Sequence, residues 1–420
     1  MKVVFMAGGK GTRISSIASD IPKPMIKICG KPVLEHEILC LREQGFTDFI
    51  ITVGHLGNII IDYFGDGSRL GVHIDYYVEK ELLGNAGALF RLKDKLTEDF
   101  LLLNADVLFN IDFNRFVAFH KLHGGLVTLF THPNSHPYDS GLIITDKNGA
   151  VERWLTKEDA RPKFYTNRVN AGIHVISPEV LKTKIDTPKI DLDRQLLKPL
   201  AGTGKMFAYD SPEYVKDMGT PERFECVSRD VESGIVQRRN LRNKQKAIFL
   251  DRDGTINEYV GFLTDINEFK LMQGSAEAVK KINQSGYLAI VITNQPVIAR
   301  GEVTVEQLDE IHKKMETLLG IEGAFINAIY YCPHHPHKGY AGEVAELKID
   351  CDCRKPKAGL LYRAARDFNI DLTQSWMIGD GEVDVECGKN GGCHTAKIGK
   401  NCDADINGIN LLDCVDKILK

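Results

Sequence analysis

The chain has 420 residues, of which 43% are hydrophobic and 26% charged, and its formal net charge is −4. This length is too great for one ordinary core and predicts two domains, while the slightly acidic balance argues against a nucleic-acid binder. No run approaches the roughly 20 apolar residues of a membrane span, and the N-terminal residues are expected to form a strand rather than a signal peptide. Without such a signal, the ten cysteines are expected to be reduced thiols or metal ligands, which predicts a cytoplasmic protein.

The first half alternates short apolar runs with helical spacing, a pattern typical of parallel α/β layers. Strands are predicted at residues 3–6, 49–53 and 100–103. A helix is predicted where apolar residues recur at Leu34, Ile38 and Leu41, and it should end by Gly45.

A glycine loop follows the first predicted strand, where residues 6–13 read Met-Ala-Gly-Gly-Lys-Gly-Thr-Arg. Glycines let backbone N–H groups approach phosphate oxygens closely, and Arg13 adds a cation with a fork of donors. The spacing fits neither a Walker loop nor a dinucleotide fingerprint. A simple tight turn is the alternative interpretation.

Further landmarks follow in order along the first half. Lys23 stands between two prolines, Gly84 lies in a loop of small residues, and Asp106 ends an apolar run. Asn170-Ala-Gly172 and Asp217 come later. Individually, Lys23 could be a surface lysine, Asp106 a turn residue and Asp217 a helix cap.

Together these motifs resemble the sugar-1-phosphate nucleotidyltransferases over residues 1–225. The resemblance implies a Rossmann-like, GT-A-like α/β domain that uses Mg²⁺ and needs no protein nucleophile. It also implies the following roles: triphosphate binding by Gly8, Gly9 and Gly11; charge stabilisation at the α-phosphorus by Arg13 and Lys23; base contact by Gly84; Mg²⁺ binding by Asp106 and Asp217; and contacts to sugar hydroxyls by Asn170 and Gly172.

One segment departs from this family. Where the family often has Phe-x-Glu-Lys-Pro, the chain reads Trp-Leu-Thr-Lys-Glu over residues 154–158. Lys157 is still expected to meet the sugar phosphate, but Thr156 stands where a sugar-binding glutamate is usual.

A basic stretch with few apolar residues separates the halves. We predict a first domain at residues 1–232, a linker at 233–245 and a second domain at 246–420. The alternative is a solvated basic helix that continues the first domain.

The second half opens with Ala-Ile-Phe-Leu-Asp-Arg-Asp-Gly-Thr over residues 247–255. After a buried strand, Asp251 and Asp253 should point the same way, because side chains repeat with period two. Two repelling acids suit phosphoryl transfer with Mg²⁺, although an Asx-rich turn is the alternative. Further strands are predicted at 288–292 and 376–378, and a helix capped by Thr304 and Gln307 should run to Gly320 with its apolar residues Leu308, Ile311, Met315 and Leu318 turned inward.

The predicted strands of this half each end in polar residues, which should converge at one edge of a parallel sheet. These polar residues are Asp251 after the first strand, Thr293 and Asn294 at the second, and Asp380 and Asp384 after the third. Together with Lys355, this ordered set resembles the haloacid dehalogenase superfamily of phosphatases, a Rossmannoid α/β fold. The resemblance implies that Asp251 forms an aspartyl phosphate and that Asp253 is general acid and then base. It further implies phosphate binding by Thr293 and Lys355, Mg²⁺ binding by Asp251, the Asp253 carbonyl and Asp380, and a further metal-site acid at Asp384.

A second constellation consists of Cys332 and His334 followed by Cys351 and Cys353. Three thiolates and one imidazole match a closed, structural zinc site. His335 and His337 are alternative ligands, and scattered reduced cysteines are the simpler interpretation.

With these ligands before Arg354, the second half resembles the zinc-containing D-glycero-D-manno-heptose 1,7-bisphosphate phosphatases and the related histidinol-phosphate phosphatases. The resemblance implies substrate contacts by Asn294, Gln295, Arg300 and Arg354. Pro296 and Val297 replace the Ser and Gly that this family has in the loop.

The two resemblances imply one bifunctional enzyme that makes a nucleotide-activated heptose for surface glycans. The phosphatase would remove the 7-phosphate, and the transferase would join the remaining 1-phosphate to a nucleotide, with GTP favoured over ATP or UTP. Expected partners are the NTP and sugar phosphates, with no nucleic acid or membrane, and a homo-oligomer is open. The alternatives are another sugar (mannose 1-phosphate or an amino sugar), histidinol phosphate, or a regulatory protein with inactive sites.

Overall fold

The computed structural model describes residues 1–8, 20–81, 83–185, 187, 189–400 and 403–420. Contacts divide the chain into two compact units. The first unit consists of Met1–His132, Gly141–Thr156 and Val169–Asn240. The second consists of Pro133–Ser140, Lys157–Arg168 and Leu241–Lys420. Two short segments of the first half therefore fold with the second unit, and the limits predicted at residues 232 and 246 stay a prediction.

The first unit is built on a mixed sheet whose strands follow the order β10-β9-β11-β6-β1-β4-β5, with β8 and β12 attached through β11. Strands β1, β4, β5 and β6 run parallel, and β11 is antiparallel to β6. The strands of this unit, including two separate ribbons, are β1 Val3–Ala7, β2 Lys27–Ile28, β3 Lys31–Pro32, β4 Asp48–Val53, β5 His73–Val78, β6 Phe100–Asn104, β7 Val107–Asn110, β8 Val127–His132, β9 Leu142–Thr145, β10 Val151–Leu155, β11 Val169–Ile176, β12 Met206–Asp210 and β13 Tyr214–Asp217.

Helices cover both faces of this sheet, because its central strands are apolar on each side. Val3 and Phe5 belong to one buried cluster, whereas Val4 between them belongs to the cluster on the other face. The helices are α1 Val33–Arg42, α2 Gly57–Phe64, α3 Gly87–Arg91, α4 Phe113–His123, α5 Pro221–Glu232 and α6 Ile235–Arg238.

The second unit contains a sheet of parallel strands in the order β16-β15-β14-β17-β18-β19. Chain order reverses at β14, which lies between β15 and β17. Its elements are β14 Ala247–Leu250, α7 Ser275–Ser285, β15 Leu288–Asn294, α8 Val305–Ile321, β16 Ala328–Cys332, α9 Gly359–Phe368, β17 Trp376–Gly379, α10 Glu382–Gly391, β18 His394–Ile398, β19 Ile406–Gly408 and α11 Leu411–Ile418.

Helix α8 also holds the segment Lys157–Arg168 within the second unit. The buried carboxylate of Glu316 accepts a hydrogen bond from the Asn167 backbone N–H at 2.6 Å and lies 3.4 Å from Arg168 Nη1. One residue along the helix, the Thr317 hydroxyl accepts from the Tyr165 backbone N–H at 2.9 Å. A polar strip of α8 is thus satisfied by residues from the first half of the sequence.

The fold class predicted from the sequence is confirmed. Each predicted strand is present, and the run at 247–250 coincides with β14 at both ends. The capping box of Thr304 and Gln307 begins α8, which ends one residue beyond the predicted Gly320. Leu318 is only half-buried, whereas Leu319 is fully buried.

The basic stretch between the halves is partly ordered into helix. Helix α6 lies within residues 233–245, and its Val236 belongs to a buried apolar cluster. In the part of the chain that the structure describes, no helix combines the length and apolar character needed to cross a membrane.

Candidate active sites

The second unit brings the predicted phosphatase residues to one edge of its sheet. Asp251 follows β14, Thr293 lies near the end of β15, and Asp380 follows β17. Because these three strands are adjacent and parallel, their carboxyl ends meet, as the sequence predicts.

Three acids converge at this edge. Asp251, Asp380 and Asp384 each place a carboxylate oxygen within 4.8 Å of the other two. Gly254, with φ +80°, and Gly379 leave space here, because a Cβ at either position would overlap the Asp380 or Asp384 carboxylate. Three carboxylates at this spacing fit a divalent cation such as Mg²⁺.

Lys355 is a buried cation between two of these acids. Its Nζ lies 2.8 Å from Asp251 Oδ1 and 2.6 Å from Asp384 Oδ1, and donates to the Ile292 carbonyl at 3.0 Å. Burial raises the pKa of Asp251 to about 6, and the Lys355 ammonium opposes that rise. Burial by itself would lower the pKa of Lys355, but Asp251 and Asp384 raise it. Lys355 is therefore a fixed positive charge that favours an ionised Asp251.

Asp253 is not one of the three grouped acids, and its side chain accepts hydrogen bonds on both oxygens. Its donors are Arg252 Nη2 at 2.8 Å, Asn257 Nδ2 at 3.0 Å and Gln295 Nε2 at 2.9 Å. Arg252 has no exposed surface, and its Nη1 lies 3.3 Å from His312 Nε2. The carboxylate is thus held in one orientation by buried donors.

Sequence reasoning missed Arg252 and His312. Arg252 stands between the two aspartates, where the period of two along a strand points its side chain away from theirs. Burial, and then the Arg252 charge, lower the pKa of His312 well below its usual range, so its neutral ring can accept the Arg252 N–H. The available signal was a basic residue two positions after the end of a buried apolar strand.

Two predicted substrate contacts instead hold protein groups in this structure. The Asn294 amide accepts from the Lys355 backbone N–H at 3.0 Å and donates to its carbonyl at 3.2 Å. Gln295 accepts from Arg252 and donates to Thr293 Oγ1 at 2.9 Å as well as to Asp253. Their roles toward substrate stay predictions.

The two predicted arginine contacts are also engaged. The Arg300 guanidinium lies between the rings of Phe262 and Tyr340, with centroid distances of 4.1 and 4.5 Å. Arg354 donates to the His334 carbonyl at 3.3 Å. Their substrate contacts likewise stay predictions.

The predicted cysteine and histidine cluster is assembled. The Sγ of Cys353 lies 3.1 Å from that of Cys332, 3.3 Å from that of Cys351 and 3.2 Å from His334 Nδ1. All three cysteines are free thiols, and the four donor atoms lie within 4.8 Å of one another. Such a closed set of sulfur and nitrogen donors fits a structural metal. Within the described ranges, His335 and His337 are not part of this group.

The first unit gathers three of the predicted transferase residues. Lys23 Nζ lies 3.2 Å from Asp106 Oδ2. The antiparallel ribbon of β7 and β13 pairs Asp217 with Val107, so Asp217 comes beside Asp106. Arg223, which sequence reasoning missed, holds Asp217 at 2.8 Å from the first turn of α5. Two acids and a lysine therefore share one region of the first unit.

Of the remaining predicted transferase contacts, Asn170 and Gly172 lie in β11, and the others divide into three groups. Gly9, Gly11 and Arg13 lie outside the described residues, and of that loop the structure describes Gly8. Gly84 packs so closely on the Ile190 backbone that a Cβ would overlap it. Lys157 is exposed and belongs to the second unit, so its contact with the sugar phosphate stays a prediction.

Both sites combine acids that follow strands with a lysine, which is the arrangement of an α/β protein with two centres for phosphate chemistry. Comparison with family models agrees with this class. The nucleotidyl transferase model matches residues 2–234, and the HAD-hydrolase-like model matches residues 352–409. The chain belongs to the nucleotidyl transferase family and carries a HAD-like domain in its second half, which confirms both predicted resemblances.

Individual relatives match one half each. Mannose-1-phosphate guanyltransferase beta-B of Xenopus laevis is 31% identical over 229 residues, which cover 53% of this chain and 62% of the relative. The chain thus spans less than two thirds of that relative. The D-glycero-beta-D-manno-heptose-1,7-bisphosphate 7-phosphatase of Haemophilus influenzae is 42% identical over 144 residues, covering 34% of this chain and 75% of the relative. The crystal structure of HddC from Yersinia pseudotuberculosis is 24% identical with a TM-score of 0.48, covering 55% of this chain and 99% of that one.

Proposed function

We propose that the chain is a bifunctional enzyme with a phosphomonoesterase site in its second half and a nucleotidyltransferase site in its first. The observation that carries the proposal is the position of Asp251, which lies 2.8 Å from the buried Lys355 ammonium and beside two further acids. A carboxylate in that setting is a poised nucleophile with its charge already balanced.

In the first phosphatase step, an Asp251 oxygen attacks the phosphorus of the sugar phosphate ester. A phosphorus–oxygen bond forms to Asp251, and the bond to the sugar oxygen breaks. The protonated Asp253 gives its proton to that oxygen, which leaves as an alcohol. Lys355 and the Thr293 hydroxyl stabilise the charge on the transferring group.

In the second step, ionised Asp253 takes a proton from water as the water attacks the aspartyl phosphate. The bond between phosphorus and the Asp251 oxygen breaks, and inorganic phosphate is released. The hydrogen bonds from Arg252 and Gln295 fix the orientation of the Asp253 carboxylate for this proton transfer. Asp251, Asp380 and Asp384 would hold Mg²⁺, which supplies charge neutralisation at the phosphoryl oxygens.

In the transferase, the sugar 1-phosphate attacks the α-phosphorus of the NTP, and pyrophosphate leaves. The residues of the chain bind and orient the two anions, so no protein nucleophile is required. Lys23 supplies positive charge, and Asp106 and Asp217 would hold Mg²⁺, which would neutralise charge on the phosphate groups. Asn170 and Gly172 contact the sugar.

The proposed substrates are D-glycero-D-manno-heptose 1,7-bisphosphate for the phosphatase and heptose 1-phosphate with GTP for the transferase. Support comes from the relatives, since one half matches a heptose bisphosphatase and the other a guanyltransferase. Removal of the 7-phosphate yields the 1-phosphate that the transferase consumes, so one chain performs two consecutive steps. We place the enzyme in the cytoplasm, where NTP is available.

The proposed metal of the cysteine and histidine cluster is Zn²⁺. Cys332, His334, Cys351 and Cys353 fill four positions, which leaves none for a substrate. The cluster therefore ties the loop between β16 and α9 rather than taking part in catalysis.

The test is incubation of the purified chain with Mg²⁺, the heptose bisphosphate and one NTP at a time, with phosphate and pyrophosphate measured separately. Phosphate should appear with or without NTP, and pyrophosphate should follow with GTP. Mannose 1-phosphate with GTP is the second substrate pair to assay, because the guanyltransferase relative acts on mannose 1-phosphate by name. Absence of phosphate release would refute the phosphatase, and absence of pyrophosphate with every NTP would refute the transferase.

A further inference from the structure

Strand β11 is irregular at the point where the proposed sugar contact Asn170 lies. Its pairing with β8 shifts register between Asn170 and His174. Gly172, between them, has φ +73°, and the Asn104 amide occupies the space that a Cβ there would need. In a regular strand, side chains four residues apart are separated by roughly 13 Å. Here the bulge brings the His174 ring to 3.1 Å from Asn170 Oδ1.

The hydrogen bonds around Asn170 define how its amide is turned. The Gly172 backbone N–H donates to Asn170 Oδ1 at 3.3 Å, and a backbone N–H can only donate. That atom is therefore the carbonyl oxygen, and His174 must meet it with a protonated Nε2. Among the described residues, Asn170 Nδ2 has no protein partner, so both of its N–H groups remain for a ligand.

His174 itself is buried and carries an unused nitrogen. Its exposed fraction is 1%, and burial lowers its pKa to about 3, so the ring is neutral at pH 7. Its Nδ1 has no hydrogen-bond partner in the described part of the chain. An unpaired buried nitrogen is a cost that leucine at this position would not carry. The neighbouring strand positions hold apolar residues, so packing alone does not call for a histidine.

We propose that His174 is a positioning residue of the transferase site. Its Nε2–H donates to the side-chain oxygen Oδ1 of Asn170, so that the Nδ2 amide group of Asn170 donates to a hydroxyl oxygen of the sugar phosphate. This inference rests on the proposed contact between Asn170 and the sugar. Without the ring, the Asn170 oxygen keeps only the 3.3 Å hydrogen bond from the Gly172 backbone N–H. The amide then rotates more readily to present its oxygen instead, which removes the donor that the sugar hydroxyl accepts from.

The kinetic test compares His174→Leu with the unsubstituted full chain. We expect the KM for the sugar 1-phosphate to rise about tenfold, the loss of one well-placed hydrogen bond, while kcat and the KM for NTP change less than about twofold. His174→Gln, which keeps a side-chain N–H, should recover most of the loss. His120→Leu is the matched control, because His120 is also buried in the first unit but bonds to Thr128. Thermal unfolding of each variant measures any folding defect separately.

Asn170→Ala separates the inference from the proposal on which it rests. If Asn170→Ala raises the sugar KM and His174→Leu does not, the inference is overturned and the sugar contact stands. If neither variant changes it, both are overturned. An equal rise in both KM values, for sugar and NTP, would show that His174 supports the fold alone.

A direct measurement does not depend on turnover. In ¹⁵N-labelled protein at pH 7, the histidine signal lost in His174→Leu should have the pattern of a neutral ring protonated at Nε2. Protonation at Nδ1 would overturn the inference even if the transferase proposal holds. Absence of pyrophosphate from the unsubstituted chain would refute that proposal, whereas the ring signal tests the Asn170 contact in either case.

Discussion

The phosphatase and transferase sites differ in how far their charges are buried before any substrate is present. The side chains of Lys355 and Asp384 are 2% and 1% exposed, whereas those of Asp106 and Asp217 are each 42% exposed. A reaction with a protein nucleophile requires that atom and its counter-charges to be placed in advance. In a reaction in which one substrate attacks another, bound ions and substrate phosphates supply more of the charges that complete the site. We attribute the contrast between a pre-paired site and an open site to the proposed nucleophiles, which are an aspartate of the chain in the phosphatase and the sugar phosphate in the transferase.

The largest effect should come from Asp251→Asn, which removes the proposed nucleophile. We expect phosphate release to fall about 10⁴-fold or more, because later steps depend on the covalent intermediate. Pyrophosphate release from premade sugar 1-phosphate should stay unchanged. Asp350→Asn, at an acid that is 78% exposed in the same unit, is the control. Loss of both activities would break the contrast by showing that the sites are not independent.

Asp106→Asn should have a smaller effect on the open site. Pyrophosphate release should fall about 10²- to 10³-fold, because the charge that pairs with Lys23 and is proposed to hold Mg²⁺ is lost. Phosphate release measures the untouched site in the same sample, and Asp94→Asn, at an exposed acid of the first unit, is the matched control. Unchanged pyrophosphate release would remove Asp106 from the site.

Arg252→Lys tests how much the phosphatase depends on prior ordering of Asp253. Lysine keeps the charge but loses the fork of donors, so phosphatase kcat should fall about tenfold and its pH profile should shift. Arg363→Lys, at an arginine that is 62% exposed, should change neither. A lower melting temperature with an unchanged pH profile would mean that Arg252 supports packing only.

The smallest expected effect on turnover comes from Cys351→Ser. The zinc content should fall from one ion per chain. The melting temperature of the second unit should drop by several degrees, because the loop between β16 and α9 loses an anchor. Cys226→Ser, at a half-buried thiol of the first unit, is the control. Equal zinc content in both variants, measured by atomic emission, would refute the zinc proposal.

The strands and the convergence of Asp251, Lys355 and Asp380 were predictable because the strands of a parallel sheet leave a pattern in short stretches of sequence. A strand buried on both faces is a continuous apolar run, and polar residues at its carboxyl end meet those of its neighbours. The Asn294 clamp on the Lys355 backbone was not predictable, since it joins positions 61 residues apart through a loop. The orientation of the Asn170 side chain was not predictable either. It depends on a β-bulge, and the alternation of side chains along the strand gives no sign of that bulge.

The strip on α8 has a consequence for anyone who cuts the gene in two. A fragment starting at residue 246 would carry Glu316 without Arg168 and Thr317 without Tyr165, although both pairs form within the second unit of the intact chain. Stranding a buried carboxylate is among the more damaging single losses a small domain can suffer. During synthesis Tyr165 and Arg168 leave the ribosome long before α8 does, so these partners are already available when the helix folds. A fragment intended to carry the hydrolase should therefore include the segment Lys157–Arg168 rather than begin at residue 246.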